Sequence, residues 1–459
     1  MSAAPHSRPT IFAPATAAGR AAIAIVRISG PRAGEALAAL CAKPPRWRPP
    51  ARRATRANLI DPSTHEALDA ALVLWFPRPG SFTGEDVAEF HLHGGRAVLA
   101  RVLTALGRRE GLRLATPGEF TRRAFDAGKL DLTEVEGLAD LVAAETEAQA
   151  RQALRQLSGE LGRLYESWRA RLVRALAHAE AEIDFPDEDL PAGLIATLRP
   201  ELAALIRHIE MHLADERRGE RLREGVSIAI VGPPNAGKSS LLNALARREA
   251  AIVSTVAGTT RDVIEVHLDL GGYPAIVADT AGLRAMAATP GDDQAVIERE
   301  GMRRALARAD AADLRLLVLD ATTIDKNTPL DPALARLIDG RTLVVVNKID
   351  LAPSTTQDRN WRISVKTGEG VAELVASLTA AVAARFAVEV SGGPVLTRAR
   401  HREALAVCLE ALRRAVSADA AELFAEDLRL AVRALGRITG RVAVDDILDV
   451  VFKEFCLGK

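Results

Sequence analysis

The apolar residues of this 459-residue chain change their spacing three times. Up to about Ala127 they form short β-rich runs. Ile23 to Ile28 and Ala71 to Phe76 are two of these, and Val87 to His93 alternates toward the turn signal Gly94-Gly95. The runs predict strands joined by turns and short helices. The spacing then lengthens to three and four: Leu154, Leu157, Leu161, Leu164, Trp168 and Leu172 share one helical face, and Leu202, Leu205 and Leu213 continue it. Between about Gly225 and Arg385, strand-like runs alternate with helices: Ile228 to Val231, Ala275 to Ala278, Leu314 to Leu319 and Leu343 to Val346. That order predicts an α/β sheet with its chemistry at the strand ends. After the linker-like Ser391-Gly392-Gly393-Pro394, helical spacing returns with Leu405, Leu409 and Leu412, then Leu428, Val432 and Leu435.

The simplest organisation is a helical domain interrupted by the α/β domain. It gives a multidomain α+β and α/β chain with expected boundaries at 1–127, 128–222, 223–385 and 386–459. Two separate half-bundles, each needing a partner for its leucine stripe, are the other arrangement. The length suits roughly three domains, and 48% apolar residues can build substantial cores.

Lys+Arg and Asp+Glu are equal at 60 each, so an RNA contact would have to use a local basic patch. Cys41, Cys408 and Cys456 are isolated and not at metal-ligand spacing, which points to a reducing compartment. Arg8, Arg20 and Arg27 interrupt the N-terminal apolar stretches, and no run reaches the eighteen or so apolar residues of a membrane span. The expectation is a cytoplasmic protein.

The strongest single motif is Gly232-Pro233-Pro234-Asn235-Ala236-Gly237-Lys238-Ser239. It follows a strand-like run, Val226 to Val231, and precedes a helix starting at Ser240-Leu241-Leu242. In that context the backbone N–H groups surround phosphates, the Lys238 ammonium reaches the outer ones, and the Ser239 hydroxyl binds magnesium.

Further elements follow in the order a GTPase needs. Gly258-Thr259-Thr260-Arg261-Asp262 supplies a threonine, assigned as Thr260, to complete the magnesium shell. In Asp279-Thr280-Ala281-Gly282 the carboxylate can hold the metal through water, and the Gly282 N–H can meet the γ-phosphate. In Asn347-Lys348-Ile349-Asp350 the Asp350 carboxylate can accept from guanine N1–H and the exocyclic amine, whereas adenine would leave it unpaired. Ser364-Val365-Lys366-Thr367 would place a backbone N–H on the guanine carbonyl. Each has a bland reading as a turn or strand end, but together in order they specify GTP.

Hydrolysis also needs an oriented water and neutralised charge. Leu283 follows Gly282, so the familiar glutamine is absent. Arg261 and Arg284 are candidates for an arginine finger; a carboxylate further along, or another cation, are the alternatives.

At this point the chain resembles a known family along almost its whole length. Thr10-Ile11 to Ser29-Gly30, Ser81-Phe82-Thr83-Gly84-Glu85-Asp86 with His93-Gly94-Gly95, and Pro117-Gly118-Glu119-Phe120-Thr121 to Gly128-Lys129-Leu130-Asp131-Leu132 carry the resemblance. So do Ile183-Asp184-Phe185-Pro186-Asp187-Glu188, the GTPase motifs and Phe455-Cys456-Leu457-Gly458-Lys459. The chain is similar to the MnmE/TrmE family, GTPases of tRNA uridine 5-carboxymethylaminomethyl modification.

The resemblance implies a homodimer made through N-terminal domains that bind 5-formyl-tetrahydrofolate or a related folate. It also implies a tRNA substrate and an FAD-dependent partner of the MnmG/GidA type in a heterotetramer. Folate contacts would fall on Arg27, Glu89, Lys129 and Lys459. Cations suit the glutamate tail of the folate, and a carboxylate suits the donor edge of the pterin.

The same family is potassium-stimulated, with ligands matching Asn235, Ser254, Val256 through its carbonyl, and Thr259. The nucleotide-binding stretch thereby includes Thr255 and Ala257. The water-orienting carboxylate carries over to Glu298, with Glu300 the neighbouring choice, because Ala285 to Gln294 is longer than the family usually shows. Cys456 is either a nucleophile in the modification chemistry or a small buried residue.

His91 and His93 share a strand face, and a satisfied pair is favoured over a metal site. Asp445, Asp446 and Asp449 read as a solvated acidic face. The competing function is a regulatory GTPase of ribosome assembly, which the N-terminal motifs and the terminal Phe455 to Lys459 argue against.

Overall fold

The computed structural model describes residues 8–184, 194–215, 217–248, 251, 265–279, 306–324, 330–352, 361–386, 393–442 and 458. The N-terminal sheet is built from β1 (Thr10–Pro14), β2 (Ile23–Ser29), β3 (Thr55–Ile60), β4 (Ala67–Phe76), β5 (Val87–His93) and β6 (Leu112–Leu114). Its order is β3-β4-β5-β2-β1-β6, antiparallel except between β1 and β6. Alternation sends Val26, Ile28, Val73, Trp75, Phe90 and Leu92 to one face. There α1 (Ala33–Leu40) and α2 (Arg96–Gly107) cover them with Leu37, Leu40, Val102 and Leu106. The opposite face carries Arg27, Glu89 and His91, with α3 (Glu119–Asp126) placing Phe120 in a small core with Ile11, Ala13 and Ala115.

The helices that follow are α4 (Leu132–Ala143), α5 (Glu147–Leu157), α6 (Glu160–Asp184), α7 (Leu194–Leu213) and α8 (Arg218–Glu224). The leucine face expected to run unbroken from Leu154 to Leu172 is divided. Ser158-Gly159 ends α5, with Gly159 at φ 81°, and α6 starts afresh. Leu161, Trp168 and Leu172 are buried on α6, while Leu154 on α5 is exposed.

The second sheet comprises β7 (Val226–Val231), β8 (Glu265–Leu270), β9 (Tyr273–Asp279), β10 (Leu314–Asp320), β11 (Thr342–Asn347) and β12 (Trp361–Arg362). Its order is β12-β11-β10-β7-β9-β8, parallel except for the β8–β9 hairpin. The hairpin turns at Gly271-Gly272, both at positive φ. With the sheet come α9 (Lys238–Ala246), α10 (Pro332–Ala335) and α11 (Val371–Phe386). Leu241, Leu242 and Leu245 of α9 and Leu374, Leu378 and Val382 of α11 pack on Ile228, Ile230, Val277 and Leu316.

Two last helices, α12 (Ala399–Ser417) and α13 (Ala421–Thr439), complete the described chain. The chain divides into two compact units, 1–139 with 156–198 and 411–459, and 140–155 with 199–410. Helical residues fall partly in each. Within the first unit α6 packs along α13; Arg429 pairs with Glu180 at 3.0 Å and Arg441 with Glu166 at 3.1 Å. Within the second, α8 leads straight into β7, and Arg221 pairs with Asp313 at 2.7 Å. Among the described residues no helix is long and apolar enough to cross a membrane.

Candidate functional site

The central strand β7 ends at Val231, and the chain turns through Gly232 to Gly237 before α9 begins at Lys238. Two residues of the turn are left-handed, Asn235 at φ 64° and Gly237 at φ 94°. Gly237 also lies against the Asn347 amide, where a Cβ would collide, so only glycine satisfies both demands. The Lys238 ammonium donates to the carbonyls of Gly232 at 3.0 Å and Pro233 at 2.7 Å. Phosphate oxygens, being charged, are stronger acceptors for the same ammonium. Ser239 and Ser240 open the first turn of α9.

The base end is built from β11 and the turn after β12. Asn347 is buried, its Nδ2 donating to the Ala236 carbonyl at 2.9 Å and its Oδ1 accepting from the Val365 N–H at 3.1 Å. One side chain thus ties the phosphate loop to the segment that would read the base. The buried Ser364 hydroxyl donates to Asp350 Oδ1 at 2.7 Å, which orients that carboxylate. The Ile349 N–H holds the same turn to the Ile363 carbonyl at 3.3 Å.

Lys348 Nζ meets Asp320 Oδ2 at 2.6 Å. Burial works against the Asp320 charge, but hydrogen bonds from Lys348 and Thr322 outweigh it and hold the carboxyl below its ordinary value. A cavity of about 550 Å³ lies among Gly237, Asn347, Lys348, Asp350, Val365 and Lys366. That volume is in the usual range for a small-ligand site.

Asp279 closes β9, in register with Ile230 of the strand that feeds the phosphate loop. The remaining expected nucleotide residues lie outside the described residues: Ser254, Thr255, Val256, Ala257, Gly258, Thr259, Thr260, Thr280, Ala281 and Gly282. So do Arg261, Arg284, Glu298, Glu300, Cys456, Lys459 and the three aspartates 445, 446 and 449.

In the first unit, Arg27 on β2 stands directly across from Glu89 on β5, and the two pair at 2.9 Å. The guanidinium also lies 5.9 Å from the Phe82 ring centroid and 5.8 Å from that of Phe120. Its Nη1 approaches the Gly458 carbonyl at 3.4 Å. Gly458, at φ 96°, is packed on the Pro14 carbonyl, where a Cβ could not fit. Gly458 therefore lies against Arg27, one of the expected folate residues. Lys129 is exposed, with its Cε beside the space over Gly84.

Around these lies a buried polar brace. Ser29 donates to Glu85 at 2.7 Å, and Arg123 reaches Glu85 at 2.8 Å and Glu119 at 3.0 Å. Burial would raise the Glu119 pKa, but hydrogen bonds from Arg113, the Thr116 N–H and Arg123 bring it down to about 2. The two histidines each have a carboxylate: His91 Nε2 lies 3.4 Å from Glu89, and His93 Nδ1 lies 2.7 Å from Asp69. The donor set suits a flat anionic ligand such as a folate: a guanidinium near two aromatic rings, with a carboxylate beside it. The roles of Phe82, Phe120 and Asp320 were missed in the sequence. Phe82 lay inside a motif already singled out, and Asp320 ends a strand as Asp279 and Asn347 do.

A glycine-rich turn after the central strand, a buried asparagine behind it and an oriented aspartate at the base pocket define a P-loop GTPase. Family models agree. Residues 10–129 match the GTP-binding protein TrmE N-terminus, and residues 132–456 match the MnmE helical domain. A tRNA modification GTPase MnmE of Parvibaculum lavamentivorans is 59% identical over 454 residues, covering 98% of this chain and 100% of the relative. The protein of that name from Rhodospirillum rubrum is 57% identical over 468 residues, covering 98% and 99%. That from Caulobacter vibrioides is 51% identical over 464 residues, also covering 98% and 99%. The chain belongs to the MnmE family of tRNA modification GTPases.

Proposed function

We propose that this protein is a potassium-stimulated GTPase that works with an FAD-dependent partner on the wobble uridine of certain tRNAs. The product is a 5-carboxymethylaminomethyl or aminomethyl group whose one-carbon unit comes from a folate. The observation that carries the reading is the 59% identity to a tRNA modification GTPase across 98% of the chain, which spans the N-terminal sheet as well as the nucleotide site.

Each half of the chemistry has its residues. Asn235 to Ser240 would hold the phosphates, with Ser239 and Thr260 on magnesium. Asp350 would accept from the guanine amine and N1–H. The Val365 N–H is committed to Asn347, so the Lys366 N–H is the donor left for the guanine carbonyl. Asn235, Ser254, the Val256 carbonyl and Thr259 would bind potassium, which supplies the positive charge an arginine finger gives elsewhere. Glu298 would orient the attacking water.

In the N-terminal module Arg27, Lys129 and Lys459 would meet the folate's carboxylates and Glu89 the pterin's donor edge. Cys456 would sit beside them, as nucleophile or as packing. The boundaries 1–127, 128–222, 223–385 and 386–459 then separate folate-binding, helical and GTPase parts. The working assembly is a homodimer joined by the flavoprotein in a heterotetramer in the cytoplasm.

GTP turnover measured in potassium and in sodium tests the hydrolytic half. Faster turnover in potassium, lost in Glu298→Ala, is expected; equal rates in both salts would remove the potassium site. Reconstitution with the flavoprotein, a folate and unmodified tRNA tests the other half.

A further inference from the structure

From Ala36 to Ile60 the chain carries no acidic residue and six cations, Lys43, Arg46, Arg48, Arg52, Arg53 and Arg56. Such a run usually belongs to a solvated arm. Here it has a fixed backbone. Pro44, Pro45, Pro49 and Pro50 restrict it, and three hydrogen bonds pin it: Trp47 N–H to Pro44 at 2.8 Å, Arg53 N–H to Pro50 at 3.3 Å, and Arg52 N–H to Trp75 at 2.8 Å.

Arg48 is the structural member. Its guanidinium lies 5.2 Å from the Trp75 ring centroid and donates to the carbonyls of Pro45 and Trp47, both at 2.7 Å. Trp47 packs on the sheet's core. Lys43, Arg46, Arg52, Arg53 and Arg56 are exposed. Arg52 also donates to the Gly80 carbonyl, tying the run to the loop that carries exposed Arg78.

The acids beside that loop are occupied. Asp86 accepts from the Arg78 N–H at 3.0 Å, and Glu85 is held by Ser29 and Arg123. Among the described residues no carboxylate pairs with Lys43, Arg46, Arg53, Arg56 or Arg78. In a chain whose 60 cations and 60 acids cancel, this is a local positive surface.

Its position is informative. Arg56 is in register with Leu72 on β4, which is in register with His91 on β5. Glu89 and its partner Arg27 occupy the next same-face row, so Arg56 and Arg27 share one face of the sheet, three strands apart. Three strand spacings are about 14 Å.

We propose that Lys43, Arg46, Arg53, Arg56 and Arg78 bind the phosphate backbone of the RNA substrate, with Arg56 reaching it from the sheet face that carries the Arg27–Glu89 pair. This rests on the reading of the protein as one that modifies tRNA. Phosphate is favoured over a protein partner because the run's own exposed side chains are guanidinium forks and an ammonium, while exposed Leu72, opposite Arg56, is a single apolar neighbour and not an interface core. The proline-restricted backbone means that little conformational entropy is lost when the RNA docks.

The test is binding of a labelled, unmodified tRNA transcript to the full chain by fluorescence anisotropy, from 50 to 200 mM KCl. The variant R46Q/R53Q/R78Q is expected to bind at least tenfold more weakly, with a salt slope shallower by roughly two to three. R46K/R53K/R78K should keep most of the affinity, and GTP turnover without RNA should be unchanged in both. Equal affinity and slope in wild type and the Gln variant would overturn this surface alone. Loss of flavoprotein binding with RNA binding intact would also overturn it, making it a protein dock. A wild-type chain that binds no RNA even with the flavoprotein present would overturn the functional reading as well.

Discussion

The Asn347 amide donates a 2.9 Å hydrogen bond to the Ala236 carbonyl, 111 residues away, and so joins the strand end that would select the base to the loop that would hold the phosphates. Its oxygen accepts from the Val365 N–H at the same time. Asn347→Ala would leave both groups short of a partner, at a cost of about 1–3 kcal/mol for each one stranded in a buried site. A lower thermal midpoint and at least tenfold weaker binding of a fluorescent GTP analogue are expected. Unchanged nucleotide affinity would show that the two halves of the pocket are independent.

Asp350 is held by the Ser364 hydroxyl with its carboxylate at the cavity. Asp350→Asn replaces an acceptor with a donor where guanine would present its amine. GTP binding should fall on the order of a hundredfold or more. Xanthosine triphosphate, which has a carbonyl at that position, should gain. Competition titrations with both nucleotides read this directly, and retained GTP preference would place the base elsewhere.

How legible the site was depended on whether its parts are contiguous. The turn from Gly232 to Ser239 and the run Asn347 to Asp350 carry their chemistry in consecutive residues, and the structure brings both to one cavity. Arg27 and Glu89 are 62 residues apart and meet only through the register of β2 on β5. Family resemblance pointed to them; spacing alone would not have. The Leu154 to Leu172 stripe misled because periodicity does not register a single left-handed glycine, Gly159, that re-aims the helix. The basic run from Lys43 to Arg56 was hidden by a net charge of zero, since an average over 459 residues erases a local field.

The Arg27 guanidinium lies 5.9 Å from the Phe82 ring centroid and 5.8 Å from that of Phe120, and pairs with Glu89. Arg27→Met keeps much of the side chain's bulk but removes the fork. Binding of 5-formyl-tetrahydrofolate, followed by calorimetry, should weaken at least tenfold, while GTP turnover in the absence of folate should not change. Full folate affinity in this variant would move the site off the β2–β5 pair.

Stability should fall in two separate acid windows. Burial, with help from His401 and Arg402, lowers the His212 pKa from 6.5 to about 4 despite the nearby Asp215. The folded chain keeps this histidine neutral while the unfolded chain protonates it. Its contribution is therefore full above pH 6.5 and is lost as pH falls to about 4. Glu119 moves from 4.5 to about 2, so its contribution is full above pH 4.5 and is lost toward pH 2. Thermal midpoints across pH should show the upper decline reduced in His212→Gln and the lower one reduced in Glu119→Gln. Curves parallel to wild type in both variants would assign the acid sensitivity to other groups.

The most direct test of the function is nucleoside analysis of bulk tRNA from a strain lacking this protein. Loss of the 5-carboxymethylaminomethyl and aminomethyl uridines, with recovery when the wild-type gene is restored and not when Asp350→Asn is, is the expected outcome. An unchanged wobble-uridine profile in the deletion strain would contradict the role in tRNA modification outright.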